Sequence, residues 1–133
     1  MIFSNRDFAK TLICASADNA GNGGGGVEPG KPVFVVATIT VKPGKRAEFS
    51  RIFLENVPNV LAEDGCVLYS PAVDVPSGIG AQIPLRENVV TVVEQWESLQ
   101  ALQAHLVAPH MNSYREAVKG LVDGASLQVM QPV

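Results

Sequence analysis

The sequence predicts an α+β fold: one antiparallel sheet, helices packed on it, and elements in the order β-α-β-β-α-β. Three features predict it. The stretch VFVVATITV, residues 33–41, is β-branched and apolar on both faces, as a central strand is. VVTVVEQWE, residues 89–97, is a second strong strand signal. Between and after them, apolar residues recur at helical spacing, bounded by prolines and glycines.

The 133 residues suit one domain with a core of its own. DNAGNGGGGVEPGKP, residues 18–32, is a linker by composition, because glycine gives flexibility and proline blocks regular pairing. Residues 1–31 are therefore expected to be a flexible N-terminal arm with a Gly-rich linker, and residues 32–133 the folded domain. TLICASA, residues 11–17, is a short apolar stretch, and the segment before it holds Asp7. Both facts argue against a secretory signal and for a poorly structured extension.

The first strand carries Val33, Val35, Ala37, Ile39 and Val41 on one face and Phe34, Val36, Thr38 and Thr40 on the other. A helical stripe follows in Phe49, Ile52, Phe53, Val57, Val60 and Leu61. Pro43 reads as a first-turn residue and Gly65 as a stop. Pro58 is expected to kink or divide this helix, since it lacks a donor and crowds the preceding turn. CVLYSPAVDV, residues 66–75, is the second strand, and Pro71 inside it assigns it to a sheet edge. PSGIGAQIPLREN, residues 76–88, is a long connection. The third strand shows Val90, Val92, Glu94 and Trp96 on one face. Ser98 caps a short helix with Leu99, Leu102 and Leu106 on one side. Pro109 starts another, whose apolar side is Met111, Tyr114, Val118, Leu121 and Val122. Gly124 is expected to end it, and ASLQVMQPV is the last strand, with Leu127 and Val129 on one face.

This order is the split-βαβ pattern of a ferredoxin-like fold, with the first and third strands central and the second at an edge. Helices cover one face of such a sheet. Phe34, Val36, Val89 and Val93 would then form an open apolar patch, which a homodimer joined sheet to sheet would bury.

Composition narrows the function classes. The chain is 47% hydrophobic and 17% charged with net charge −3, and it has no Lys/Arg run, so nucleic acid is not an expected partner. No apolar stretch approaches the roughly 20 residues of a membrane span, and no membrane partner is expected. Cys14 and Cys66, without CxxC spacing, suggest neither a disulfide framework nor a zinc knuckle, and suit a cytoplasmic location. His105 and His110 are separated by five positions and a proline, unlike a helical zinc pair, so no metal is expected. The glycines at 23–26 lack the Lys-Ser/Thr of a phosphate loop.

Four segments in register, VKPGKRAEF, EDGCVLY, VEQWES and HLVAPHMNSYREAVKGL, resemble the antibiotic biosynthesis monooxygenase (ABM) domain family, in particular its quinol monooxygenase branch. The resemblance spans about residues 33–130. It implies a dimeric α+β barrel with a pocket between the helices and the inner sheet face. It also implies that a small phenol or quinol is deprotonated there and reacts with O2 without flavin, haem, metal or other cofactor. The family includes haem-degrading members and a non-oxidative isomerase-type member, so it does not fix one reaction.

Six types of side chain could carry the chemistry. His105, three residues after Leu102, borders the apolar stripe and matches a histidine of the family's HxxxPH pattern. It is the candidate base, against the alternative of a histidine packed at a helix corner. Trp96, the one tryptophan, is expected to wall in a flat substrate, to serve as a core aromatic, or both. Glu94 shares its face, and pairing with Arg115 or Arg86 outweighs a catalytic role. His110, in the first turn after Pro109, reads as a capping or surface residue before a substrate-binding one. Tyr69 and Tyr114 could orient a substrate oxygen, and Met111 reads as pocket lining or core. The haem-degrading relatives use an asparagine on the first strand. By register that position is Ala37, placed here among the substrate contacts.

The sequence thus predicts a cofactor-independent monooxygenase acting with O2 on a small quinol or phenol, with His105 and Trp96 as its catalytic residues. The alternatives are a dimeric module that only binds a small ligand, and a non-oxidative isomerase or lyase using the same histidine. Loop 76–88 is the expected substrate determinant, with Arg86 and Glu87 its charged members.

Overall fold

In the computed structural model, which describes residues 26–133, a four-stranded antiparallel sheet has the order β2-β3-β1-β4. The strands are β1 (Val33–Val41), β2 (Cys66–Ala72), β3 (Val89–Trp96) and β4 (Val122–Met130). Three helices connect them: α1 (Arg46–Leu61), α2 (Leu99–Leu106) and α3 (Pro109–Val118). Most of the expected arm, with Cys14 and the TLICASA stretch, lies outside the described residues.

The two-sided apolar strand is central. β1 pairs with β3 from Val33↔Trp96 to Thr40↔Val89, and on its other side with β4. Its odd-numbered residues are buried beneath the helices. The even face is bare of helices: Phe34 is 36% and Val93, opposite Val36, 40% exposed. Pro71 sits in β2, an edge strand, where a missing N–H breaks no inner ladder.

Several boundaries differ from the sequence expectation, each for a physical reason. Pro43 is not in the first turn of α1. Lys42-Pro43-Gly44-Lys45 is a turn, with Gly44 at φ +78° and the Lys45 N–H donating to the Lys42 carbonyl at 3.0 Å. Proline followed by a positive-φ glycine is the type II signature. α1 runs undivided through Pro58, and the turn beyond it closes by Ala62 N–H to Pro58 O at 3.1 Å. The carbonyl that Pro58 cannot serve belongs to Leu54, on the solvent side of the helix, where water can satisfy it. β2 ends at Ala72, where its pairing with Thr91 ends, rather than at Val75. Leu121 and Val122 do not extend α3. The helix stops at Val118, and Val122 opens β4 opposite Val41. Apolar residues at 118, 121 and 122 fit helical spacing equally well, and strand pairing decides. Gly124 consequently lies within β4, opposite Thr40 and just past a register shift.

At the other boundaries the local chemistry acts as expected. Ser98 caps α2, its hydroxyl accepting from the Ala101 N–H at 3.1 Å. Pro109 occupies the first turn of α3. The corner between α2 and α3 is tied by a buried cation. The Arg115 guanidinium donates to the Leu106 carbonyl at 2.6 Å and to Asn112 Oδ1 at 3.1 Å, serving a helix end that would otherwise lack donors. No helix among the described residues is long and apolar enough to cross a membrane.

This tie is measurable. Replacing Arg115 by Leu should lower unfolding free energy in urea by about 2 kcal/mol, the scale of a buried hydrogen bond to a charged donor. Exposed Arg51, paired with Glu55 one turn on, should change by under about 0.5 kcal/mol as Arg51→Ala. Equal effects from both changes would show that the corner does not depend on Arg115.

Candidate functional site

The buried face of β3 carries Val90, Val92, Glu94 and Trp96, all pointing under the helices. Strand pairing sets Tyr69 of β2 opposite Glu94. Above them α2 brings His105 and Leu106, α3 brings Met111 and Tyr114, and α1 brings Phe53. These helix residues, with Val92, Glu94 and Tyr69, Ala37 and Ile39 of β1 and Ala125 and Leu127 of β4, line a pocket of about 430 Å³, counted with the solvent at its mouth.

Of the residues expected to contact substrate, Ala37, Tyr69, Glu94, Met111 and Tyr114 line this pocket, as does His105. Trp96 and His110 do not. Trp96 is fully buried one layer behind. Its indole N–H donates to Glu94 Oε1 at 2.9 Å, and its ring packs on the His105 imidazole, centroids 4.7 Å apart at 35°. Tyr69 closes on the same imidazole edge to face at 5.4 Å. His110 lies over a separate, open groove between α1 and α3, its Nδ1 3.2 Å from Asn56 Oδ1.

Glu94 has neither cation that the sequence offered it. Arg86 is taken by Asp74 through two side-chain contacts of 2.9 and 2.8 Å that latch the 73–88 loop, and Arg115 by the helix corner. The indole N–H is the only hydrogen bond to its carboxylate among the described residues. Burial, aided by the charge of Glu63, therefore pushes Glu94 up to about 7, against the pull of the Trp96 hydrogen bond. Asp74, held by Arg86, moves the opposite way, down to about 2.

His105 is 2% exposed, and its Nδ1 lies 2.7 Å from Glu63 Oε2. Burial first, then the charges of His110 and Arg115, lower its pKa and keep the ring neutral at neutral pH. Glu63 itself is raised by burial, against the attraction of His110. Burial also raises both tyrosines, so Tyr69 and Tyr114 remain neutral phenols. The Tyr114 hydroxyl is buried with no hydrogen-bond partner among the described residues, an orphan on the pocket wall. Among the described residues no three His, Cys, Asp or Glu side chains group closely enough to hold a metal ion.

Glu63, the carboxylate against His105, is a neighbour that the sequence did not single out. In EDGC it reads as a solvated carboxylate at a turn, and its contact with His105 spans 42 positions. The lining residues Phe53, Ile39, Leu106, Ala125 and Leu127 also carry no signal apart from their place in the apolar pattern.

Comparison with known proteins agrees with this geometry. The family model described as antibiotic biosynthesis monooxygenase matches residues 32–117. The Escherichia coli (strain K12) protein named Probable quinol monooxygenase YgiN is 41% identical over 100 residues, covering 74% of this chain and 95% of that protein. A Shigella flexneri protein of the same name matches equally. Among solved structures, PA3566 from Pseudomonas aeruginosa shares the fold at TM-score 0.64 and 22% identity, over 77% of this chain and 95% of that one. A Caulobacter crescentus protein described under the same family name aligns at TM-score 0.65 and 27% identity, over 77% and 91% of the two chains.

The raised Glu94 has a signed consequence for stability. Folded Glu94 keeps its proton to about pH 7, whereas the unfolded side chain releases it near its ordinary 4.5. Its contribution is thus complete below pH 4.5 and lost as pH rises towards 7, to a limit of about 3 kcal/mol. His105, lowered on folding, has the opposite slope over an overlapping range. The Glu94 part is therefore read as a difference between proteins. Urea unfolding at pH 4.5 and pH 8 should show Glu94→Gln gaining on the native chain at the higher pH. A pH-independent gap between the two would contradict the raised carboxyl.

Proposed function

The chain belongs to the antibiotic biosynthesis monooxygenase family, and from that premise we propose that it is a cofactor-independent monooxygenase oxidising a small quinol or phenol with O2. The observation that carries this reading is the pairing, on the wall of an otherwise apolar pocket, of a neutral imidazole and a carboxyl that titrates near 7. An aromatic ring fits the aliphatic and aromatic lining, and its hydroxyl finds polar partners only at Glu94, His105 and the two tyrosines.

His105 acts as the base, taking the phenolic proton and leaving an electron-rich phenolate for O2. Protonated Glu94 donates a hydrogen bond to the anion that forms, and the orphan Tyr114 hydroxyl is a second donor. The electrons come from the quinol itself. A benzenediol and O2 give a hydroxyquinone and water, one oxygen atom entering the ring and the other leaving as water. Trp96 contributes from behind the wall, by holding Glu94 and His105 in place.

The working unit is a homodimer. The bare sheet face, with Phe34 and Val93 exposed and Val36 and Val89 half-buried, is the surface a second copy covers.

Oxygen uptake by the purified chain, measured across a panel of benzenediols and naphthalenediols, should exceed the spontaneous rate for at least one of them. His105→Ala should cut kcat by roughly 100-fold or more, the usual share of a general base. Unchanged turnover in that variant would remove His105 from the mechanism. No uptake with any quinol would leave a ligand-binding or non-oxidative role for the pocket. In gel filtration at micromolar concentration the chain should elute as a dimer and Val93→Asp as a monomer. A monomeric native chain would sink the dimer.

A further inference from the structure

An imidazole serves as a directed base only if one ring nitrogen is kept free of its proton and the ring is kept from turning. The Glu63 carboxylate faces one nitrogen of His105, Oε2 to Nδ1 at 2.7 Å, with the two side chains 17% and 3% exposed. Glu63 belongs to the turn between α1 and β2, where its own N–H donates to the Val60 carbonyl at 3.0 Å and its carbonyl accepts from the Cys66 N–H at 3.2 Å. Its backbone is therefore fixed. On the far side His110 Nε2 stands 3.5 Å from the same Oε2, too long for a good hydrogen bond. Asn56 in turn holds His110 through Nδ1. The His105 ring is sandwiched between Trp96 and Tyr69, which leaves it little room to flip.

We propose that Glu63 is a positioning residue that fixes His105 with its proton on Nδ1, so that Nε2 is the proton acceptor offered to the pocket. This rests on the reading of the pocket as a site of proton transfer. The carboxylate accepts the Nδ1–H, which dictates the tautomer. When Nε2 takes a proton from a bound hydroxyl, the ring becomes an imidazolium, and the charge forms 2.7 Å from Glu63 in a buried setting where attraction is strong. The hydrogen bond of His105 among the described residues is made at Nδ1, which leaves Nε2 as the nitrogen available to the pocket that the ring lines. Glu63 does not line the pocket, so it acts through its neighbours, on His105 by direct contact and on Glu94 by its charge.

Long-range proton–nitrogen NMR of the imidazoles tests this directly. The chain has two histidines, and His110→Gln identifies which signals belong to His105. The native protein should show His105 protonated on Nδ1 and bare on Nε2. Glu63→Gln keeps the shape, but its amide can accept from or donate to Nδ1, so a mixture of tautomers should appear. With a turned-over quinol, kcat in that variant should fall roughly 10- to 100-fold with KM within about twofold. Glu63→Asp, which restores the carboxylate, should recover part of both. An Nε2-protonated His105 in the native protein overturns the proposal, as does a tautomer ratio that Glu63→Gln leaves unchanged. If the native tautomer is Nδ1–H and responds to Glu63→Gln, the positioning role stands even where no quinol is oxidised. In that case it is the reaction assigned to the pocket that falls.

Discussion

The Trp96 indole holds two buried titratable groups of the pocket wall in one arrangement, its N–H on the Glu94 carboxyl and its ring face against the His105 imidazole. Both groups are buried, and a buried polar group without a partner is costly by one to several kcal/mol. Trp96 can serve both because strand alternation sets it two residues beyond Glu94 on the same face, while β1 covers its flank through Val33. The ring contact adds aromatic packing of about 1 kcal/mol. A phenylalanine there would keep the stack and strand the carboxyl. The indole is thus support for the pocket wall rather than part of it.

A second constraint is electrostatic. Among the described residues no lysine or arginine lines the pocket, and the buried guanidinium of Arg115 is committed to the Leu106 carbonyl. A carboxylic acid or phosphate would enter without a counter-charge and beside Glu94, whereas a neutral phenol meets no such barrier. Latching of the 73–88 loop by Asp74 and Arg86 uses the other candidate cation at a distance from the pocket. The arrangement of the arginines therefore does as much to define the acceptable ligand as the lining itself.

Legibility in the sequence follows the range of the interaction. The two-sided β1, the alternation of β3, the Ser98 cap, the Pro109 start and the edge position implied by Pro71 are local patterns, and all are read from adjacent residues. The boundaries that misled were those where two local signals competed. Pro43 fits a helix start until Gly44 makes it a turn, and Val122 fits a helical stripe until Val41 claims it for the sheet. Most residues expected at the pocket do share one face of the sheet or the helices above it. What adjacent residues could not reveal is pairing across the fold: Glu63 with His105, and Glu94 with an indole rather than an arginine. Carboxylates look alike in sequence, and only the third dimension separates a solvated one from a buried one.

That separation is what suits the two carboxylates to different work in the proposed reaction. Glu94 lies deep, with one neutral donor, so its proton is retained near neutral pH and it can donate to an oxygen that becomes anionic. Glu63 lies nearer solvent, between two imidazoles, and is the better placed of the two to stay ionised and steady a developing imidazolium. Were both ionised around one small apolar pocket, a phenolate would form against two negative charges. Were both neutral, nothing would hold the proton on Nδ1 or balance the charge on the ring. The division into one protonated and one ionised carboxyl is the state in which a proton can leave a bound hydroxyl and both resulting charges have a partner.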